Sequence, residues 1–505
     1  MEKYFAPEKV FLFFCIFVGL FMVLFIPPFQ SQDEPNHFKR AYSVSVLKIF
    51  SVKKETMLGN NLPCAIQGFI DAASDKGKEV VYAQSGYKYS FKEFKKLLNF
   101  ELDNNKQCFL NYPNMAIYSP LAYLPQSIGI LLASFLSSKI LLIFLAARIF
   151  NLLFFTLLCF YAIKTTPYLK WVFALVLSCP MCIALASSLS ADAVLVSCCA
   201  LFFAKILEAV NSDNYMKTKD IFLLVILSVI IAMTKQSFWF LLFIFLIPKD
   251  KLQKKYFSVL SFVLVPSFIF YFLWSMYVSS IMVPLNDSDA GSHVNYIILH
   301  PLAFFVIILK TVFNIDVLYQ TIGVLGWKSL YFNNIYYLAF VVVLLANLFC
   351  GENCPRKIRD KEHSAEQKLT KYQFLREEDV NEFLECHLEK VSSGGSKVRG
   401  DNCDTRLNKK PNLFVWQKML CLFVIIFNVL LICATTFCFW TYKNTFNYIE
   451  LQGRYLLPFA LPFLLFISSF VNDLFKRSFV AINILFLMFS GLYVSAQIFK
   501  TYCCL

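Results

Sequence analysis

Apolar runs recur along the chain at 10–29, 140–163, 171–189, 257–283, 413–440 and 480–499, each close to the roughly 20 residues a helix needs to cross a bilayer. A chain built this way is an all-α polytopic membrane protein. Composition agrees: 58% of the 505 residues are hydrophobic and 16% are charged, against about a quarter charged in soluble domains. Shorter apolar runs between the long ones raise the expected count to eleven to thirteen spans. The first run ends in Pro27 and Pro28, followed by bulky polar residues without a small-residue cleavage site, so it reads as a retained span.

The formal net charge of +14 does not point to nucleic acid, because the basic residues sit at the ends of apolar runs. That is the pattern of positive-inside topology and of contact with anionic membrane lipids. Basic loops at 248–256 and 472–478, with the charged stretch 351–411, mark the inner side. Counting from them, 219–248 is a tight hairpin whose turn, Lys235 and Gln236, lies outside. The segment 30–139 is then one large external region with short helices, provided that 120–136 lies at the interface or enters and returns. The stretch 299–314 likewise enters without crossing. Asp33, Glu34, His37, Arg40, Asp192, Lys235 and Arg454 consequently share one side. The chain divides into a first membrane part (1–350), a charged insert (351–411) and a last membrane part (412–505).

The insert carries one amphipathic helix at 377–391, followed by a linker. Its Cys354, His363, Cys386, His387 and Cys403 lack the paired spacing of a structural zinc site. Most other cysteines lie in spans, where a free thiol behaves as a small apolar group. Cys64 and Cys108 are the exceptions, and they are disulfide candidates if their segment lies outside the cytosol.

In "QDEPNHFKRAY" (32–42), Pro35 suits a helix start and the acids before it favour the positive end of the helix dipole. A start at Asp33 puts His37 and Arg40 on one face, opposite the apolar stripe. Pro35 also biases Glu34 toward an extended backbone, so the two carboxylates point in different directions. In "ELQGRYLLP" (450–458), Tyr455 reads as an interfacial anchor. Arg454 beside Gly453, where the missing side chain permits close approach, reads as a phosphate contact against the charge bias. Asp192 in "SSLSADA" reads as a helix cap or a site acid, and Lys235 as a surface turn or a phosphate contact.

"PPFQSQDEPNHFKRAY", "YSPLAYLPQSIG", Arg148 with Asn151, "SCPMCIALASSLSADA", "GVLGW" and "LQGRYLLP" occur in that order. Together they resemble a bacterial family of multi-spanning membrane proteins, domain of unknown function 2142, which is in turn similar to the C-type-fold (GT-C-like) membrane glycosyltransferases. That resemblance implies inverting sugar transfer from a polyprenyl-phosphate-linked sugar to a glycan or lipid acceptor, in the bacterial inner membrane with the N-terminus cytoplasmic. It implies Asp33, Glu34 and Asp192 as the catalytic acids, acting as base or holding a divalent cation such as Mg or Mn. Substrate binding would fall to His37, Arg40, Lys235, Gln452, Arg454 and Tyr455. The alternatives are a carrier or flippase for an anionic lipid-linked glycan, with Arg148 in its pathway, and a polysaccharide polymerase.

Overall fold

The computed structural model describes residues 5–73, 89–212, 214–235, 237–252, 256–283, 288–349, 413–470 and 479–503. The insert 351–411, with its amphipathic helix and its cysteines and histidines, lies outside the described residues, as do Gln236 and 472–478.

Helix α1 (Pro7–Phe25) leads to α2 (Glu34–Ser45). Above α2, strands β1 (Val52–Lys54), β2 (Met57–Pro63) and β3 (Gln107–Asn111) form an antiparallel sheet in that order, together with α3 (Cys64–Ala73) and α4 (Phe91–Leu98). The membrane body follows: α5 (Leu124–Leu136), α6 (Ile140–Thr165), α7 (Lys170–Leu177), α8 (Pro180–Ala186), α9 (Asp192–Asn211) and α10 (Thr218–Met233). After a 3₁₀ stretch at Phe238–Leu246 come α11 (Tyr256–Ile281), the pair α12 (Ala290–Leu299) and α13 (Pro301–Val312), α14 (Ile315–Gly323) and α15 (Asn334–Leu348). The last part holds α16 (Val415–Trp440), α17 (Leu457–Ser468) and α18 (Val480–Tyr502).

Among the described residues, six helices are long and apolar enough to cross a bilayer: α1, α6, α9, α11, α16 and α18. The count becomes seven if α12 and α13, bent by 108° at His300, are one span. The expected eleven to thirteen spans are thus not met by full-length helices. The run 171–189 is broken at Pro180, whose missing amide stops one helix and starts the next. The hairpin 219–248 is a 16-residue helix followed by a 3₁₀ segment. Helix α5 is 13 residues long, too short to cross, and a three-residue turn leads from it into α6, so 120–136 does not form a full span.

The external segment was expected to hold short helices, and it also holds the sheet. Pro63 pairs with Gln107 in the β2–β3 register, and the next residues, Cys64 and Cys108, are disulfide-bonded. Closing a loop of this length stabilises the fold by about 4 kcal/mol in the chain-entropy treatment.

Buried arginine chemistry holds the two layers together. Arg148 on α6 donates Nε and Nη2 to Glu34 at 2.9 and 2.6 Å, and its other N–H groups to the carbonyls of Val23, Ile26 and Pro27 at the end of α1. All five guanidinium donors are used. Glu34 also accepts from the amides of Phe29 (3.0 Å) and Leu189 (3.3 Å). Asn151, one turn along α6, donates to the carbonyls of Leu185, Ser188 and Ser190, fixing the turn that leads into Asp192.

A candidate charged site at one end of the bundle

Asp33 ends the loop after α1 in the left-handed region (φ 60°) and makes no side-chain cap to α2, so the plain helix-cap role does not hold. The helix starts at Glu34 with Pro35 in its first turn, so Glu34 is helical rather than extended. Its carboxylate and that of Asp33 nevertheless diverge. Asp33 Oδ1 accepts from Asn114 Nδ2 (3.1 Å), which Asn36 supports through the Asn114 oxygen (2.8 Å), and Asp33 Oδ2 accepts from Arg454 Nη2 (3.1 Å).

Arg454 lies in the 3₁₀ turn Gly453–Leu456 that opens α17. Its Nε faces Asp192 Oδ2 at 3.4 Å, an ion pair too long for a hydrogen bond, and both atoms lack a hydrogen-bond partner. Asp192 is the first residue of α9 and does not cap it; its other oxygen pairs with Lys235, just past the end of α10. Lys235 (φ 51°) also lies over the rings of Tyr455 (4.5 Å) and Tyr118 (5.5 Å). Left-handed non-glycine residues cost about 1–3 kcal/mol each and gather at functional sites. Two acids and two cations from four distant segments therefore meet in one cluster. Asp33 is its most exposed member, 26% for the side chain against 4–5% for Asp192 and Arg454 and 14% for Lys235.

Other expected site residues fall elsewhere. Glu34 is fully buried and paired with Arg148, so both side chains are engaged in the packing between α1, α2 and α6. Arg40 is buried too, donating to the carbonyls of Ile49 and Tyr118 at 2.9 Å, so it braces these two loops. Helix α2 has no free polar face at all: from Glu34 to Val44 only Asn36 is not buried. The missing side chain at Gly453 serves packing instead of phosphate, since a Cβ there would lie 2.5 Å from Thr321 N and Val317 O of α14. Gln452 is half-buried beside Arg454, with Oε1 unpartnered. Asn36, Asn114 and Tyr118 were not named as site residues, although Asn36 lies in "QDEPNHFKRAY" and Tyr118 opens "YSPLAYLPQSIG"; Asn114 had only the polar "YPNMAIYS" (112–119) as its signal. In "GVLGW", Trp327 donates to the Phe29 carbonyl (3.1 Å), pinning the loop that carries Asp33.

Asp33 and Asp192 both face Arg454, and among the described residues no three His, Cys, Asp or Glu converge. A narrow cleft of about 30 Å³, bordered by Ser31, Gln32, Ser188, Ser190 and Gly326, reaches Arg454.

His37 is buried, with Nδ1 2.8 Å from the Tyr123 hydroxyl. Burial pushes its pKa down to about 3, against the pull of Asp33, with Arg454 and Lys235 adding to the depression. The native ring is therefore neutral, whereas the unfolded chain binds a proton below about pH 6.5. The His37 contribution is intact above that pH and is lost at about 1.4 kcal/mol per pH unit as the pH falls toward 3. His37→Gln should flatten this part of the stability profile when unfolding is followed in detergent between pH 7 and 5. An unchanged slope would refute the buried neutral ring.

Fold and site together define a multi-spanning α-helical membrane protein with a cation–carboxylate cluster at one end of its bundle. The chain belongs to the family described as predicted membrane protein (DUF2142), whose model matches residues 14–375. No curated protein and no solved structure matches it.

Proposed function

We propose that the protein is a glycosyltransferase that takes a sugar from a polyprenyl-phosphate donor at the outer face of the bacterial inner membrane, with the N-terminus cytoplasmic. The observation that carries this reading is the meeting of Asp33, Asp192, Lys235 and Arg454 at one end of the bundle. Trp274 donates to the Ile117 carbonyl, one residue from the Tyr118 ring that faces Lys235, and packs with Tyr277 and Phe50, which fixes that ring beside the cluster.

In the reaction, Asp33 accepts the proton of the acceptor hydroxyl as its oxygen bonds to the anomeric carbon, and the bond from that carbon to the lipid phosphate breaks. Arg454 and Lys235 stabilise the charge that develops on the leaving phosphate. Asp192 holds both cations in place.

The test compares cell-surface glycans by mass spectrometry between wild type and Arg454→Ala, with membrane insertion confirmed. Loss of a sugar with the acceptor still exported is expected, at about 10²–10³-fold lower transfer. An unchanged glycan profile would sink the transferase reading. Cysteines placed at the exposed positions 105 and 448 should react with an impermeant reagent from outside, and one at 254 should not.

A further inference from the structure

The carboxyl ends of α2 and α5 border a cleft of about 430 Å³, within the size range of small-ligand sites. At 1.5 Å per residue along α2, its Tyr42 and Ser45 lie roughly 14–18 Å from Asp33, so it is separate from the charged cluster.

The polar lining consists of Tyr42, Ser45, Lys48, Asn104, Gln107 and Ser134. These are hydroxyls, carboxamides and one ammonium, without a carboxylate, so the lining is positive; the Tyr42, Ser45 and Ser134 hydroxyls and one Gln107 N–H already donate to protein acceptors. Lys48 is exposed and now donates to a single carbonyl, that of Asn61. Beneath it, Pro63 and Gln107 pair across the sheet beside the Cys64–Cys108 disulfide, which fixes the floor.

The remaining wall is apolar and continues into the membrane face. Leu131 and Phe135, 44% and 79% exposed, extend a strip that begins at Leu124 and Ile128. The spacing of four, three and four keeps these side chains on one face of α5. On α6, which packs antiparallel to α5, exposed side chains run from Leu142 to Tyr161. That is roughly 30 Å of helix, the depth of a hydrocarbon core. The top of α5 is marked by the Lys139–Glu101 ion pair. The α5 strip thus lies beside one leaflet, with the polar cleft at its headgroup end.

We propose that this cleft binds the phosphate head of an anionic membrane lipid, with an alkyl chain laid along the α5 strip. Lys48 meets the phosphate, the Asn104 amide and the second N–H of Gln107 donate to its remaining oxygens, and the hydroxyl oxygens accept from the alcohol of the head. Charge complementarity selects the anionic lipid over a zwitterionic one, and the strip distinguishes a lipid from a soluble phosphate ester. The site is independent of the sugar-transfer reading and stands if that reading fails.

The test reconstitutes the full chain in phosphatidylcholine nanodiscs containing a minor fraction of phosphatidylglycerol, extracts it into detergent, and measures retained lipid by native mass spectrometry. Wild type should retain phosphatidylglycerol in preference to phosphatidylcholine. Lys48→Glu and Ser134→Trp, which reverses the charge and fills the cleft, should each lower retention by about tenfold, as for loss of one charge-assisted hydrogen bond. Both variants should keep the disulfide and elute like wild type. Excess glycerol 1-phosphate should leave the lipid in place. Retention unchanged in both variants would overturn the site, and displacement by glycerol 1-phosphate would overturn the lipid in favour of a free phosphate ester.

Discussion

Asp33→Asn is expected to lower sugar transfer by about 10²–10⁴-fold, the usual contribution of a positioned general base, while leaving the fold intact. The asparagine oxygen can still accept from Asn114 Nδ2, so the local hydrogen-bond geometry survives. What disappears is the proton acceptor and the charge that faces Arg454. Arg454 keeps its second partner, Asp192, so no buried cation is stranded and folding should change little. The measurement is polyprenyl phosphate released from a polyprenyl-phosphate sugar in proteoliposomes, with monodispersity as the folding control. Near-wild-type turnover would remove Asp33 from the chemistry. Asp33→Glu makes a useful comparison, because the longer side chain keeps the charge but must abandon the present bonds to Asn114 and Arg454, so partial activity separates charge from position.

How much of this could be read from the chain differs by level. Helical spans were legible because apolar run length is a local property, and α1, α6, α11, α16 and α18 lie close to the runs that define them. The shared side of Asp33, Asp192, Lys235 and Arg454 was legible through topology, since basic loops fix one side and alternation fixes the rest. Which acid faces the cluster was not. Asp33 and Glu34 are neighbours in one motif, and only the depth and rotation of α6, which bring Arg148 to Glu34 across 114 positions, separate their roles. The bracing contacts of Arg40 were not legible for a related reason. A guanidinium near a boundary suggests an anion, but here carbonyls left bare by loops at Ile49 and Tyr118 claim it first. The sheet escaped notice because its strands are short and polar, and its β2–β3 pairing joins segments more than forty residues apart. Gly453 was singled out for the right property with the wrong partner: the close approach is by the α14 backbone.

Arg148→Met should be the most damaging single change to stability, costing about 3–5 kcal/mol. The pair it breaks is almost wholly buried, 1% exposed for Arg148 and 0% for Glu34. Removing the cation strands a carboxylate in a low-dielectric interior, where the amides of Phe29 and Leu189 are its only other donors among the described residues. It also leaves the carbonyls of Val23, Ile26 and Pro27 without the guanidinium that closes the end of α1. Glu34→Gln alone should cost less, since Arg148 keeps its three carbonyl partners and the one amide oxygen still accepts on one side of the fork, although the NH2 on the other side faces the N–H of either Phe29 or Leu189. The double variant Glu34→Gln with Arg148→Met should recover part of the loss, because the stranded charge is gone while the bare carbonyls remain. Unfolding of the four proteins in one detergent, analysed as a double-mutant cycle, reads the coupling directly. Additive losses would mean that the two side chains act separately, and the account of Glu34 as a structural acid would fail. A strong coupling carries a further consequence: the loop from Pro27 to Asp33 hangs between α1 and this ion pair, so the same lock that stabilises the bundle sets where the Asp33 carboxylate stands relative to Arg454.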